Sequence, residues 1–313
     1  MKIIIVGPGA MGLLLYGLLN KTRQDIRVLD KDPERARRIK KDGVRIDGLM
    51  TMRLSDIPIG ADPSEDKDAD FWLICVKAYD TKNVVKSISP YVSERASVVS
   101  FQNGSGNIEL LAEAFGASRV LLAVTSLGAT LADEGHVHYT GEGEIVLGRM
   151  DGGMTVECKS LRELFQKAKI PLKLSKDVQA VLWSKLIINA GINAVSAITG
   201  LKNGQIMQVE GARRLAEQAI TEAHKVAKRK RIKLLYDDVL AKAESICEAT
   251  SGNVSSMLAD IERRKPTEID AINGAILRQA QSLGVKTPVN SFLFDAVKAL
   301  ESNYSRKLVP SSK

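Results

Sequence analysis

The 313-residue chain is long enough to bury a sizeable core and, with 44% hydrophobic and 26% charged residues, belongs to the globular class, which excludes a disordered or fibrous protein. Its three cysteines, Cys75, Cys158 and Cys247, show no CxxC or metal-ligand spacing and leave one thiol over in any disulfide scheme, so a reducing cytoplasm is the expected setting. The net charge of +8 includes a basic run at Lys225, Lys228, Arg229, Lys230, Arg231 and Lys233, but no aromatic residues are interleaved with it, and anionic small ligands are a better inference than nucleic acid.

Residues 2–6, KIIIV, form the continuous β-branched run expected of a strand buried on both faces. No charge occurs from Ile3 to Asn20, which imitates a signal peptide or membrane span, but the Gly7-Pro8-Gly9 break divides the run into a strand and a separate helix. No other stretch reads as long and apolar enough to span a bilayer, so a soluble protein is expected. The turn Gly7-Pro8-Gly9-Ala10-Met11-Gly12 is a GxGxxG pattern between strand and helix, the context in which that pattern signifies a dinucleotide site. Gly7 permits the tight turn, Gly9 lets the backbone approach a pyrophosphate, and Gly12 lets the helix lie close on the strand. The helix N-terminus then offers its free N–H groups and partial positive charge to phosphate.

A second strand, residues 26–29, ends at Asp30, where a carboxylate would accept the adenine-side ribose hydroxyls and repel a 2′-phosphate, favouring NADH. Lys31 and Arg35 follow closely and could neutralise a phosphate instead, and Asp30 could equally be a cap for the helix DPERARRI. Further strands are predicted at 71–76 and 97–101. Each ends at the ligand-binding edge of a parallel sheet, the first before Lys77 and the second before Gln102-Asn103-Gly104, which makes Lys77 and Asn103 candidate cofactor contacts. Strands continue at 120–126, around His136 to His138, and at 144–147 and 172–174, with a helix over 161–168. His136 and His138 alternate onto one face without a third ligand at recognisable spacing, and no metal site is expected.

After residue 174 strand signals give way to helical periodicity. The expected architecture is an α/β Rossmann-type dinucleotide-binding domain over residues 1–174 and an all-α domain over 175–313. Within residues 182–204, LWSKLIINAGINAVSAITGLKNG, Lys185, Asn189 and Asn193 stand four apart on one helical face among apolar neighbours. Buried polar groups of this kind need partners, and a small polar ligand would serve. Asn253-Val254-Ser255-Ser256 reads as a helix start whose N–H groups and hydroxyls could hold a carboxylate or simply cap the helix. Residues 266–274, PTEIDAING, read as the opening of another helix, with Glu268 either a cap or a functional acid.

These blocks together resemble the ketopantoate reductase (2-dehydropantoate 2-reductase) family of the 6-phosphogluconate-dehydrogenase-like two-domain oxidoreductases. The resemblance runs nearly end to end, through GPGAMG, VKAYD, QNGSGNIE, LWSKLIINAGIN and NVSSMLADIERRKPTEIDAING, the last two blocks being the specific ones. It implies NAD(P)H-dependent reduction of the C2 ketone of 2-dehydropantoate in pantothenate and coenzyme A synthesis, with hydride from the nicotinamide and a proton from Lys185. It also implies that Glu268 orients the lysine and lies near the cofactor, and that Asn189, Asn193, Asn203, Asn253, Ser255 and Ser256 bind substrate. Lys77, Asn103 and Ala129 match cofactor positions, Asn103 lying near substrate as well, and Lys185 and the asparagines are expected to floor a cleft between the domains. Where this chain has Asp30, the better-known NADPH-dependent members have an arginine, so the resemblance leaves NADPH and NADH both open. A same-fold reductase of another small 2-keto acid is the nearest alternative, and a non-catalytic nucleotide-binding protein is a more distant one. The expected partners are a 2-keto acid and a second copy of the chain, not nucleic acid or a membrane.

Overall fold

A run of β-branched residues has no polar face to turn to water, and β1 (Lys2–Val6) is accordingly buried from Ile3 onward. The computed structural model, which describes residues 1–304, places it inside a parallel sheet. After α1 (Ala10–Asn20) the chain returns through β2 (Asp25–Leu29) beside β1. Then α2 (Pro33–Asp42) leads to β3 (Val44–Gly48), β4 (Met52–Leu54) and β5 (Ile59–Gly60). β6 (Phe71–Ile74) pairs in parallel with the other edge of β1, followed by α3 (Thr81–Ile88), β7 (Ser97–Ser100), α4 (Asn107–Phe115) and β8 (Val120–Thr125). After the hairpin β9 (Gly128–Asp133) and β10 (His136–Gly141) come β11 (Ile145–Gly148), α5 (Val156–Lys167) and β12 (Leu172–Leu174).

The strand order in the main sheet is β12-β11-β8-β7-β6-β1-β2-β5, parallel except where β11 runs antiparallel to β8. Chain order reverses between β1 and β6. That switch point is where an open α/β sheet leaves a crevice at the strand ends, and the glycine turn after β1 and Lys77 after β6 both lie at that edge. A second sheet, ordered β4-β3-β10-β9, is closed by parallel pairing of β10 with β3. Helix α1 packs against β1 and β2 of the main sheet and against β3, β9 and β10 of the second. Being covered by both, it is buried from Gly12 to Leu19, which accounts for the uncharged stretch at the start of the sequence.

The chain divides into two compact units after Gln179. The second is helical: α6 (Val178–Thr199), which begins just before the division, then α7 (Asn203–Gln208), α8 (Glu210–Arg229), α9 (Val239–Ala249), α10 (Ser256–Glu262), α11 (Asn273–Leu283) and α12 (Pro288–Ser302). By length and composition α6 is apolar enough to cross a membrane, contrary to the expectation that no such stretch exists. Its apolar window is 83% buried within the fold, as in the core helix of a soluble protein. The basic run closes α8, where Lys228 and Arg229 suit the negative helix end. Lys230 there donates to Gln279 (2.8 Å) and lies 5.9 Å over the Trp183 ring.

Candidate active site

Strand β1 delivers the glycine turn with its backbone already fixed, since Gly7 N–H donates to Leu29 O at 2.9 Å. Gly7 has φ +101°, a conformation that a side chain would strain. A Cβ on Gly12 would lie 2.1 Å from Gly7 O, so only glycine allows α1 to start this close to the turn. A Cβ on Gly9 would meet no protein atom within 4 Å, so the space in front of it is open. Gly9 is the N-cap of α1 without a side-chain cap bond, and the first turn carries no acidic residue. The free N–H groups at Ala10, Met11 and Gly12 therefore suit a pyrophosphate. Gly12→Ala is expected to lower the melting temperature, at an overpacking cost of about 1–3 kcal/mol, and to weaken nicotinamide binding in the same protein. Thermal melts with and without added NADH check both effects.

The edges that carry Lys77 and Asn103 are tied together by a buried polar chain. Gln102 Nε2 donates to Val76 O (3.2 Å) and to Thr81 Oγ1 (2.7 Å). The Thr81 hydroxyl lies 2.9 Å from Asn107 Oδ1, and Asn107 Nδ2 donates to Asn103 O at 3.0 Å. Gln102, Thr81 and Asn107 thus fix the two loops on which the expected contacts sit. Sequence reasoning missed all three, although Gln102 stands next to Asn103 at a strand end. Ala129 lies on β9 opposite Tyr139 and packs against the core of the first unit.

In the helical unit, Lys185, Asn189 and Asn193 lie along one uninterrupted helix, the first two half-buried and Asn193 buried. Burial lowers the Lys185 pKa to about 8, against the opposing pull of the Glu268 carboxylate. Glu268 is itself only 5% exposed. It sits in a turn before α11, not in the helix's first turn as the sequence suggested. Ala271 and Ile272 N–H donate to Glu268 O (both 3.0 Å), and α11 has no side-chain cap. Glu268 is therefore not the cap of α11, whose N-cap position is held by Ile272.

Asn203 and Asn253 meet through Asn203 N–H to Asn253 O (3.0 Å), while Asn203 Nδ2 donates to Thr250 Oγ1 (2.9 Å). Asn203 Oδ1 is buried and accepts no hydrogen bond among the described residues, a cost that a ligand donor would remove. Ser255 caps α10 by accepting from Leu258 N–H (3.1 Å), whereas Ser256 is exposed. Thr250, absent from the expected set, fixes the Asn203 amide.

Comparison with known proteins gives the family. The family model for ketopantoate reductase PanE/ApbA matches residues 3–152, and its C-terminal counterpart matches residues 177–301. A 2-dehydropantoate 2-reductase of Archaeoglobus fulgidus is 34% identical over 96% of this chain and 98% of its own. The chain belongs to the ketopantoate reductase family. The crystal structure of a PanE/ApbA family ketopantoate reductase from Ralstonia eutropha superposes with a TM-score of 0.89 at 31% identity, covering 97% of this chain and 99% of that one. The ternary structure of D-mandelate dehydrogenase with NADH and anilino(oxo)acetate gives a TM-score of 0.91 at 25% identity, covering 98% and 100%.

Asp30 is where this ketopantoate reductase family member departs from the expected arginine, and its surroundings differ from both simple accounts of it. Asp30 is 1% exposed and forms a bidentate pair with Arg35, whose Nε and Nη2 donate at 2.6 and 2.5 Å. The cap of α2 is Asp32, which accepts from Glu34 and Arg35 N–H, so Asp30 is not the capping residue. Lys31 is held by both Asp80 oxygens, at 2.8 and 2.9 Å. His136 and His138 flank Asp47 from β10, one on each carboxylate oxygen (2.7 and 2.6 Å), and hold that carboxyl below its ordinary range.

Proposed function

We propose that this chain reduces the C2 ketone of 2-dehydropantoate to the hydroxyl of pantoate, with NADH preferred over NADPH and Lys185 as proton donor. The observation that carries the reading is an ammonium on an apolar helix whose pKa is brought to about 8 by burial while the buried Glu268 carboxylate opposes the loss of its proton. A group poised there is still charged at neutral pH and surrenders its proton readily. A bound nicotinamide supplies the hydride. As negative charge grows on the ketone oxygen, Lys185 stabilises it and then protonates it. Glu268 holds the ammonium in place, and Asn189, Asn193, Asn203 and the backbone at Asn253 to Ser256 orient the substrate hydroxyl and carboxylate. Neutral amides do this without adding a positive charge that would depress the lysine further.

NADH is supported by the neutralised cations near Asp30. Arg35 and Lys31, the two residues that could grip a 2′-phosphate, are each committed to a carboxylate. The D-mandelate dehydrogenase similarity favours one second reading, reduction of a bulkier 2-keto acid in the same manner. Turnover of ketopantoate, ketoisovalerate and phenylglyoxylate, each with NADH and NADPH, decides between them. The expected result is the highest kcat/KM with ketopantoate and NADH, and a preference for phenylglyoxylate overturns the substrate assignment.

A further inference from the structure

The helical unit holds a second polar cluster that the chemistry above does not use. Glu222 of α8, Asn273 at the start of α11 and Asn290 at the start of α12 are all buried, the two asparagines completely. A carboxylate can only accept, and Glu222 takes N–H bonds from Val289 (2.9 Å), from Asn290 (2.9 Å) and from Asn290 Nδ2 (2.8 Å). These include the unpaired N–H groups of the first turn of α12, where a negative charge is favoured. Asn290 Nδ2 also donates to Ala219 O (2.9 Å), which leaves Asn290 Oδ1 facing Asn273. Asn273 Nδ2 donates to that oxygen (3.1 Å) and to Ala190 O of α6 (3.0 Å). Each amide orientation is fixed by the previous acceptor, so the chain has one self-consistent arrangement. Its cost is visible at Asn273 Oδ1, which is buried and accepts nothing among the described residues.

Both ends of this chain lead to the reacting pair. Ala190 follows Asn189 on the helix that carries Lys185. Asn273 directly follows the turn of Glu268, which is closed by Ala271 and Ile272 N–H on Glu268 O and by Gly274 N–H on Ile269 O (2.9 Å). We propose that Glu222, Asn290 and Asn273 act as a positioning relay, anchored on α8 and α12, that holds the Glu268 turn against α6 and thereby sets the separation of Glu268 from Lys185. The inference rests on the proton-donor reading of Lys185. Among the described residues Glu268 is the charge that acts on this lysine, so any loosening of the turn reaches the chemistry through that carboxylate.

The test is the pH dependence of kcat with NADH and ketopantoate for Asn273→Ala, Asn290→Ala and Glu268→Gln, with Val239→Ala as a buried α9 control. The two relay variants are expected to lower kcat by about tenfold with the KM for NADH unchanged, the scale of a small misplacement of a reacting group. They should also move the alkaline limb of the profile to lower pH, in the direction of Glu268→Gln, because less of the carboxylate's pull reaches the lysine. Val239→Ala should lower the melting temperature and leave the limb in place. A relay variant that loses stability but keeps the wild-type limb overturns the proposal. If Asn273→Ala does not fold, Asn290→Ser carries the test with the same two outcomes. A limb moved by Glu268→Gln alone overturns the relay only, whereas a limb unmoved even by Glu268→Gln overturns the reading of Lys185 itself.

Discussion

Lys185→Ala is expected to lower kcat for ketopantoate by about 10²- to 10⁴-fold while NADH binding stays near its wild-type strength. The loss is that of an acid and of the charge that stabilises the developing oxyanion, and neither Asn189 nor Asn193 can replace it, because a carboxamide has no labile proton near neutrality. Rapid-mixing kinetics and a separate NADH titration distinguish loss of chemistry from loss of cofactor. With the lysine pKa at about 8, reduction in the wild type should fall as pH rises through that value, since the donor is then deprotonated.

The same shift has a stability sign. The folded value lies below the ordinary 10.5, so between about 8 and 10.5 the unfolded chain holds a proton that the folded chain has released. Stability from this group therefore rises with pH across that window, and below it the folded protein bears the full cost of a desolvated ammonium, roughly 3 kcal/mol. Lys185→Met should raise the melting temperature at pH 7 and flatten its rise toward pH 10. A variant that is more stable and inactive is the signature of a residue kept for chemistry against the preference of the fold. Loss of stability in Lys185→Met, measured by the same melts, would contradict this account.

Much of this organisation is legible in the sequence because it is local. The β-branched run of β1, the glycines of the turn and the four-residue spacing of Lys185, Asn189 and Asn193 each state their structure within a few positions. The expected Rossmann-type α/β domain followed by a helical one is the fold observed, and the structures it resembles include ketopantoate reductases. What was not legible depends on distant partners. The pairing of β10 with β3 joins His136 to Arg45 in a separate sheet, although main-sheet strands intervene between them along the chain, and no local pattern announces it. Glu268 read as either a helix cap or a functional acid because acidic residues after a proline often cap, yet the backbone closes a turn on Glu268 O before the helix begins. Glu222, Asn273 and Asn290 lie far apart in the sequence, and only their shared burial reveals a network.

Asp30→Ser is expected to shift the ratio of kcat/KM for NADPH over NADH upward by about 10- to 100-fold, the second largest effect foreseen here. In the wild type both arms of the Arg35 guanidinium are occupied by the Asp30 carboxylate, and on the proposed reading that carboxylate also repels a 2′-phosphate. Serine removes the repulsion and frees a planar, always charged group whose fork matches phosphate geometry. A charge-assisted contact of that kind contributes about 1.5–3 kcal/mol, which converts to the stated ratio at about 1.4 kcal/mol per factor of ten. The substitution should cost little stability, since the Arg35 side chain is 33% exposed and water can satisfy it once the carboxylate is gone. Lys31 is the control, because its partner Asp80 remains: Lys31→Ala should change the ratio far less than Asp30→Ser. Arg35→Ala in the Asp30→Ser background should return the ratio toward its starting value. If it does not, the guanidinium is not the group that receives the phosphate, and the preference is set by the carboxylate's repulsion alone.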